Sequence, residues 1–595
     1  MKRIIALLVL MSVLVLSFAS CGGGKDPESG NDIQPGPEGQ SNFPWEKTTL
    51  VFEISENSDS TQLPSSSRRY LAGDLTGNET DHKRVDDYVE TRNKEAEAYT
   101  NVQVKYEYLA DVSQFGWGQN IQTIYGKATG GNPNAPDVFI NFVYDMVAAS
   151  LKGAFANLYS TTMYEDGHAL AGTEHNYFAF EDDRKYVDTG KDYMYEYMRS
   201  LTLSNTKMYC LSSDYFVDMV RAFFVVPVNI ELIEMINPTT ELGQYNTDRN
   251  GNGKYDIDDF YRLVWDMEWN YETLAGFAND ITAEQVGEGI TLEDRVGFAL
   301  GTSSGIPASG MLYTTSITIV KKSFDNTDYT YWYPKMQQNP DGSFRFNENY
   351  IGPDGRYDTT FEQLDTFCRN LSALVDNDGV ITVSTTDAAA LGYTNGEAEA
   401  IRKRFASNNM LFGGVIVLGA LEHDDYLAMK GEGRKGYGIA PIPLYHTDLA
   451  EDETYLTQIH NNGKIGAISY GTHKFAQCTA YLNYQSTHSN NVLEEYYNHK
   501  LKATVQVVDA AGNIEMLTYI REHVRSSFDK AFEDALGEHY SQQTGGASEA
   551  NKWHTMIKEA NFQLTNMRAQ YAEIARVKAA NLYDLENYGY YRLPS

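Results

Sequence analysis

The stretch from Tyr209 to Pro238, YCLSSDYFVDMVRAFFVVPVNIELIEMINP, constrains the fold more than any other. It opens polar and turn-like at Ser212, Ser213 and Asp214, then enters an apolar run from Ala222 to Val228. It ends in a helical pattern carrying Ile230, Leu232, Ile233 and Ile236. A run of Phe and Val this dense belongs inside a protein, and its one proline, Pro227, argues for an irregular or edge position in a sheet. The stretch reads as the place where the chain leaves one lobe and enters a second.

Ahead of it, strand and helix patterns alternate. Thr48 to Ile54 reads as a buried strand, and Asp81 to Tyr99 places Val85, Val89, Ala96 and Tyr99 near helical spacing. Asn101 to Tyr108 then alternates Val102, Val104, Tyr106 and Tyr108. A second helix is expected over Ser113 to Tyr125 and a third strand over Asp137 to Phe142. Repeated units of this kind imply an α/β fold with a mostly parallel sheet, whose ligand sites lie beyond the carboxyl ends of the strands. The C-terminal stretches Asn513 to Lys530 and Lys552 to Arg576 are helical by pattern.

At the N-terminus, Lys2 and Arg3 precede the apolar run Ile4 to Leu16 and the small-residue sequence Ser17-Phe18-Ala19-Ser20-Cys21. This is a secretory signal, too short for a membrane span. Its end resembles a bacterial lipobox, which makes Cys21 the expected lipidation site; an ordinary secretory peptide with an incidental cysteine is the alternative. Gly22 to Asn42 then reads as a flexible tether. The other cysteines, Cys210, Cys368 and Cys478, are odd in number and lack metal-ligand spacing, so no disulfide framework is expected. The formal charge of -33 excludes nucleic acid and anionic lipid as partners. The abundance of tyrosine, 43 residues, suits a cleft that stacks sugar faces, and equally suits an aromatic core.

The loop Asn141, Phe142, Tyr144, Asp145 leads into a helix and then Gly153-Ala154-Phe155-Ala156-Asn157-Leu158. This pattern resembles the extracellular solute-binding proteins of ABC importers, the carbohydrate-binding group that includes maltose-binding protein. Later segments fit the same family in the same order. The opening stretch is similar to its first lobe crossing, ending in Asn237-Pro238. Glu268-Trp269-Asn270-Tyr271-Glu272-Thr273-Leu274 is similar to a helix start in which the tryptophan packs. Asp294-Arg295-Val296-Gly297-Phe298 looks like its D-x-x-GF strand. Phe405 to Leu418 is similar to its small-residue segment, Tyr437 to Pro443 to its return crossing, and Lys464 to Tyr484 to the strand and helix that rejoin the first lobe.

The resemblance implies a two-lobed, periplasmic-binding-protein-like fold of type II, each lobe a sheet flanked by helices and joined by a hinge. Residues 1–20 would be the signal peptide and 21–46 the lipidated cysteine with its tether. Residues 47–220 with 446–510 would form the first lobe, and 221–445 with 511–595 the second lobe with the C-terminal helices. It further implies a monomeric receptor on the outer face of the cytoplasmic membrane, held there only by its lipid. Such a receptor delivers a carbohydrate, an oligosaccharide, to an ABC permease and catalyses nothing. The ligand residues it implies are Phe142, Tyr144 and Asp145 after the third strand, Asp214 and Tyr215 at the first crossing, and Ser303, Ser304 and Tyr313 in the second lobe, with Trp117 a further candidate. For each aromatic, core packing is the competing assignment. Where relatives often carry a stacking tryptophan, this chain has Val415, Ile416 and Leu418, which argues against maltodextrin-like binding. Extra length relative to the family falls in Ser160 to Thr206 and Lys321 to Thr360, where Asp341-Gly342 and Asp354-Gly355 look like hairpin turns.

The sharpest local motif is DRNGNGKYDIDD, from Asp248 to Asp259. A calcium loop needs oxygen donors at positions one, three, five, nine and twelve, a carbonyl at seven, and glycine at six. Asp248, Asn250, Asn252, Asp256 and Asp259 fall on those positions, Lys254 offers its carbonyl, and Gly253 is the sixth. A structural Ca2+ is expected, with a solvated acidic turn as the alternative; no organic cofactor is. Gly301-Thr302-Ser303-Ser304-Gly305 satisfies G-x-S-x-G and keeps a secreted hydrolase using Ser303 in view, although Pro307 and Gly310 argue against the helix that a nucleophile elbow requires. Gly431 to Gly436 matches G-x-G-x-x-G but follows a helix rather than a strand, so it reads as a turn. A calcium-stabilised surface adhesion or scaffold protein is the third reading.

Overall fold

A computed structural model describes residues 43–55, 83–109, 120–158, 208–302, 310–346, 360–449, 453–497 and 510–524, with short gaps inside these ranges and a few isolated positions besides. Two mixed sheets organise them. The chain begins with β1 (Thr48–Ser55), α1 (Lys83–Thr100), β2 (Val102–Leu109), α2 (Asn120–Thr129), β3 (Val138–Phe142) and α3 (Val143–Leu151). It crosses through α4 (Val217–Arg221) into β4 (Phe224–Asn229) and α5 (Ile230–Ile233), followed by α6 (Ile257–Trp265), α7 (Tyr271–Ile281) and β5 (Val296–Gly301). Two antiparallel hairpins come next, β6 (Lys321–Asp325) with β7 (Asp328–Trp332) and β8 (Met336–Gln338) with β9 (Phe344–Phe346). The strands of the second hairpin flank the expected Asp341-Gly342 turn, which itself lies outside the described residues, as does Asp354-Gly355.

The chain goes on through α8 (Thr360–Val375), β10 (Val380–Val383), α9 (Thr385–Ala390), α10 (Glu397–Ala406), β11 (Met410–Phe412), β12 (Ile416–Val417), α11 (Asp424–Ala428) and β13 (Tyr437–Ala440). It returns as β14 (Lys464–Ile468), α12 (Phe475–Thr487) and α13 (Asn490–Glu495), and the last described element is α14 (Ala510–Glu522). The first sheet has the order β14-β3-β1-β2, and the second β10-β5-β11-β4-β12, with β13 also on β4. Strands from both ends of the described chain therefore build the first sheet and enclose the second.

The direction of the two crossing strands decides where the carboxyl edges of the two sheets lie. In the first sheet β1 is parallel to β2 and β3, whereas β14 is antiparallel to β3. In the second, β5 is parallel to β10 and β11, whereas β4 is antiparallel to β11. Both odd strands start at the hinge. The outgoing segment Ala222–Phe224 and the returning segment Gln458–His460 run antiparallel, with Phe224 N–H donating to the Gln458 carbonyl (3.2 Å) and His460 N–H to the Ala222 carbonyl (2.9 Å). A strand that starts at the hinge runs away from it, so its antiparallel neighbours end there. The carboxyl edges of β1 and β3, and of β5 and β11, consequently meet at one junction.

The return crossing lies at Gln458–His460 and not at Tyr437 to Pro443, which instead supplies β13. Of the two positions expected for Pro227, the structure shows the irregular one and not the edge, because β4 is paired on both sides. Along its β11–β12 side, Phe412 pairs with Val228 and Ile416 with Val225, so residues 413–415 stand opposite only 226–227. That extra residue is a bulge, which tolerates the missing proline N–H. Gly413 N–H donates to the Pro227 carbonyl at 2.9 Å, and a Cβ on Gly413 would sit 2.6 Å from Pro227 Cγ. Proline thus breaks the partner strand instead of ending the sheet.

Leu50, Phe52 and Ile54 alternate along β1 into a cluster with Phe475, Tyr481 and Leu482 of α12. The opposite face, through Phe139, Val143 and Phe155, belongs to an apolar cluster that continues through Phe223 and Phe224 into the second sheet. Trp269 is fully buried there, 5.1 Å from the Phe260 ring and 5.0 Å from Phe412, and its indole N–H donates to the Pro441 carbonyl at 2.9 Å. Packing is its role, as the sequence suggests. In the D-x-x-GF segment, Asp294 is the knot of a tight loop. The Gln285 N–H above all, with the Val286 and Thr291 N–H groups and the Thr291 hydroxyl, holds its carboxyl down at about 2.

Candidate functional site

At the junction, the carboxyl edge of the first sheet carries a buried ammonium. Lys464, the first residue of β14, is 1% exposed. Its Nζ donates to the Ser55 carbonyl at the end of β1 (2.7 Å), lies 3.6 Å from Asp218 Oδ2, and sits 5.6 Å from the centre of the Phe142 ring. Asp218 Oδ1 accepts from Arg221 Nη1 at 2.6 Å, one helical turn along α4. Arg221 then reaches Glu422 of the second lobe through Nε (2.7 Å) and Nη2 (3.3 Å), and the Tyr496 hydroxyl donates to Glu422 Oε1 at 2.8 Å. Two cations and two carboxylates therefore alternate from one sheet to the other, all of them buried. Desolvating four charges is costly, and this alternation with hydrogen bonds is what offsets it. Sequence reasoning missed the network. Its signal was Asp218 and Arg221, spaced three apart inside an apolar run where charge has no other reason to be.

The carboxyl edge of the second sheet holds a pocket of about 530 Å3, counting the space open at its mouth. The end of β5 (Ala299, Gly301), Pro307, the start of α10 (Glu397, Ile401) and the bulge segment Gly413 to Val417 line it, with Tyr426 behind. Gly414 adopts φ +77°, a left-handed conformation that favours glycine, with the Ala299 carbonyl 3.2 Å from where a Cβ would stand. The bulge caused by Pro227 thus forms one wall. No sequence pattern singled out Glu397, which looks like any acidic helix start.

Of the expected ligand residues, the structure brings Phe142 and Asp145 to the first sheet's carboxyl edge. Phe142 is half-buried beside Lys464, while Asp145 is buried in the first turn of α3, where Oδ2 accepts from Asn120 Nδ2 at 3.5 Å. Tyr144 lies between them in α3, its side chain outside the described residues. Trp117, Asp214, Tyr215, Ser303, Ser304 and Tyr313 also lie outside them, as do Cys21, the leader and residues 552–576.

The expectation that Pro307 and Gly310 disfavour a helix fails, since residues 307 and 310–312 are helical. At Gly310 a Cβ would stand 2.5 Å from Val415 Cγ1, so glycine allows close packing there. Among the described residues, no histidine of a Ser-His-Asp arrangement lines the pocket beside Gly301. Burial pushes the thiols of Cys210 and Cys368 up to about 12 and that of Cys478 well above its ordinary value, so none is a thiolate nucleophile near neutral pH.

In the acidic loop, Asp248 Oδ1 accepts the N–H groups of Gly251 (2.7 Å) and Asn252 (3.1 Å), and Oδ2 accepts that of Gly253 (2.7 Å). Gly253 has φ +82°. Asp256 caps α6 and accepts from Asn250 Nδ2 at 3.1 Å and Asn252 Nδ2 at 2.7 Å. Asp259, fully buried, accepts from the N–H groups of Arg249, Asn250 and Asp256, and burial raises its carboxyl pKa. Among the described residues no three His, Cys, Asp or Glu side chains group as a metal site; in this loop asparagine amides stand between the carboxylates.

No family model matches the sequence, and no curated protein does. Among solved structures, the chain is similar to the GacH receptor of Streptomyces glaucescens, known unliganded and with acarbose, at 13% identity and a TM-score of 0.40, covering 91% of this chain and 99% of that one. It is also similar to an ABC substrate-binding protein of Listeria monocytogenes in complex with cycloalternan, at 12% identity and TM-score 0.39, with 92% and 100% covered. The maltose/maltodextrin-binding domain of Bdellovibrio bacteriovorus bound to maltotriose gives 12% and 0.41, with 89% and 98% covered. At such identities and TM-scores these likenesses carry no argument, and the architecture rests on the strand register. Among the described residues no helix is long and apolar enough to cross a membrane.

Proposed function

We propose that this chain is a lipid-anchored, extracellular solute receptor that captures an oligosaccharide and delivers it to an ABC permease. The observation that carries the reading is the direction of β4 and β14, which turns the carboxyl edges of both sheets toward one hinged junction. A ligand held at one edge is then covered by the other when the hinge closes, and the permease recognises the closed form. Nothing in this sequence of events makes or breaks a bond. The anchor at Cys21 and the secretory leader are supported by sequence alone.

Binding is tested by thermal unfolding of the chain from Cys21 onward against a panel of oligosaccharides. A ligand at about 100 times its dissociation constant adds about 2.7 kcal/mol to the folded state. A selective rise with a saccharide is expected, and no rise with any saccharide would contradict the reading.

The proposal includes a structural Ca2+ held by Asp248, Asn250, Asn252, the Lys254 carbonyl, Asp256 and Asp259. Its support is the glycine at the sixth position with φ +82° and the carboxylate of the first position gathering the following N–H groups. Millimolar Ca2+ is expected to raise the unfolding temperature of the wild-type chain and leave Asp248→Ala unchanged. An equal response of the two proteins would remove calcium from the account.

A further inference from the structure

The pocket on the second sheet contains an acceptor that the fold leaves unused. Glu397, the first residue of α10, is 5% exposed, and its Oε2 accepts from the Thr385 hydroxyl at 2.8 Å. Oε1 is buried and has no hydrogen-bond partner. An unmade hydrogen bond at a buried acceptor costs about 1–3 kcal/mol, more for a charged group. The N-terminal end of a helix favours an acidic residue, but an exposed glutamate would satisfy that preference as well. Burial of Oε1 in a pocket wall calls for a donor from outside the chain.

The surroundings restrict what that donor belongs to. At Gly301 a Cβ would stand 3.0 Å from Glu397 Cγ and 3.7 Å from Oε1, so glycine leaves the Glu397 side chain room that a larger residue would narrow by a few tenths of an ångström. Of the other lining residues, Pro307, Ile401, Val415 and Val417 are apolar, while Arg402, whose Nε donates to Asp425 Oδ2 at 2.7 Å, and Tyr426 add polar groups. The pocket, partly open to solvent, offers about 40 Å3 on the measure by which one water needs roughly 10–15 Å3. It accepts a few heavy atoms, which is a ring substituent and not a ring.

We propose that this pocket receives the acetamido group of an N-acetylated amino sugar, its N–H donating to Glu397 Oε1 and its methyl lying among Ile401, Val415 and Val417. The inference rests on the receptor reading and names its substrate class. A hydroxyl would satisfy Glu397 but leave the apolar walls unfilled, and a methyl alone would leave Oε1 unpaired.

The test is calorimetric titration of the chain from Cys21 with β1,4-linked N-acetylglucosamine oligomers and with the matching glucose oligomers, which differ at the 2-substituent. The acetylated series is expected to bind at least about tenfold tighter, and Glu397→Ala to abolish that preference while Glu397→Gln, which keeps an acceptor oxygen, retains part of it. If Glu397→Ala does not fold, the wild-type comparison and Glu397→Gln decide. Equal affinity for the two series, a preference that survives Glu397→Ala, or binding of some other saccharide by a chain that takes neither series overturns the acetamido assignment and leaves the receptor standing. A chain that binds no saccharide at all overturns both.

Discussion

Replacing Arg221 with methionine is expected to destabilise the chain by roughly 3–5 kcal/mol, the range for removing one partner from a buried ion pair. Arg221 binds Asp218 and Glu422 together, and its removal takes the shared cation away from two buried carboxylates. Arg221→Lys keeps the charge but cannot reproduce the fork that binds Glu422 through two nitrogens, so it falls between the wild type and methionine. Urea titration followed by circular dichroism measures this as a shift of midpoint at constant slope. A loss below about 1 kcal/mol for Arg221→Met, the scale of an exposed pair, would mean that water reaches the network.

Trp269→Ala is expected to cost about 3–5 kcal/mol, as for other large-to-small changes at buried aromatics. The indole fills the space between Phe260 and Phe412, so its loss opens a cavity beneath the second sheet and leaves the Pro441 carbonyl without its donor. Trp269→Phe keeps most of the apolar contact and loses the N–H bond, for a cost nearer 1–2 kcal/mol. The same titration checks both variants, and near-ultraviolet circular dichroism reports the packing around the ring. Equal costs for alanine and phenylalanine would show that the hydrogen bond, not the volume, holds this region.

What could be read from the sequence divides along physical lines. Local pattern located β1, α1, β2 and β3 to within a few residues: β1 and β3 as short apolar runs buried on both faces, α1 by helical spacing and β2 by alternation. The burial of Trp269 was expected from the resemblance of its segment to a helix start in which the tryptophan packs, and α7 does start there, capped by Asn270. Pro227 was read as marking an irregular or edge position, and local rules could not choose between them because the bulge lies in the partner strand. Glu397, Lys464 and Glu422 were missed for a related reason. Each looks like an ordinary surface charge until residues far along the chain bury it, and only the apolar setting of Asp218 and Arg221 offered a local clue. The expected ligand residues fared unevenly: Phe142 and Asp145 reach the junction, the first beside Lys464 and the second against Asn120.

The central claim, that two lobes close over a saccharide without altering it, is tested most directly by small-angle scattering of the chain from Cys21 with and without a saccharide that raises its unfolding temperature, followed by recovery of that saccharide. The account predicts a smaller radius of gyration with ligand and a saccharide returned intact. A saccharide returned cleaved, or one bound tightly with no change in radius, would contradict it.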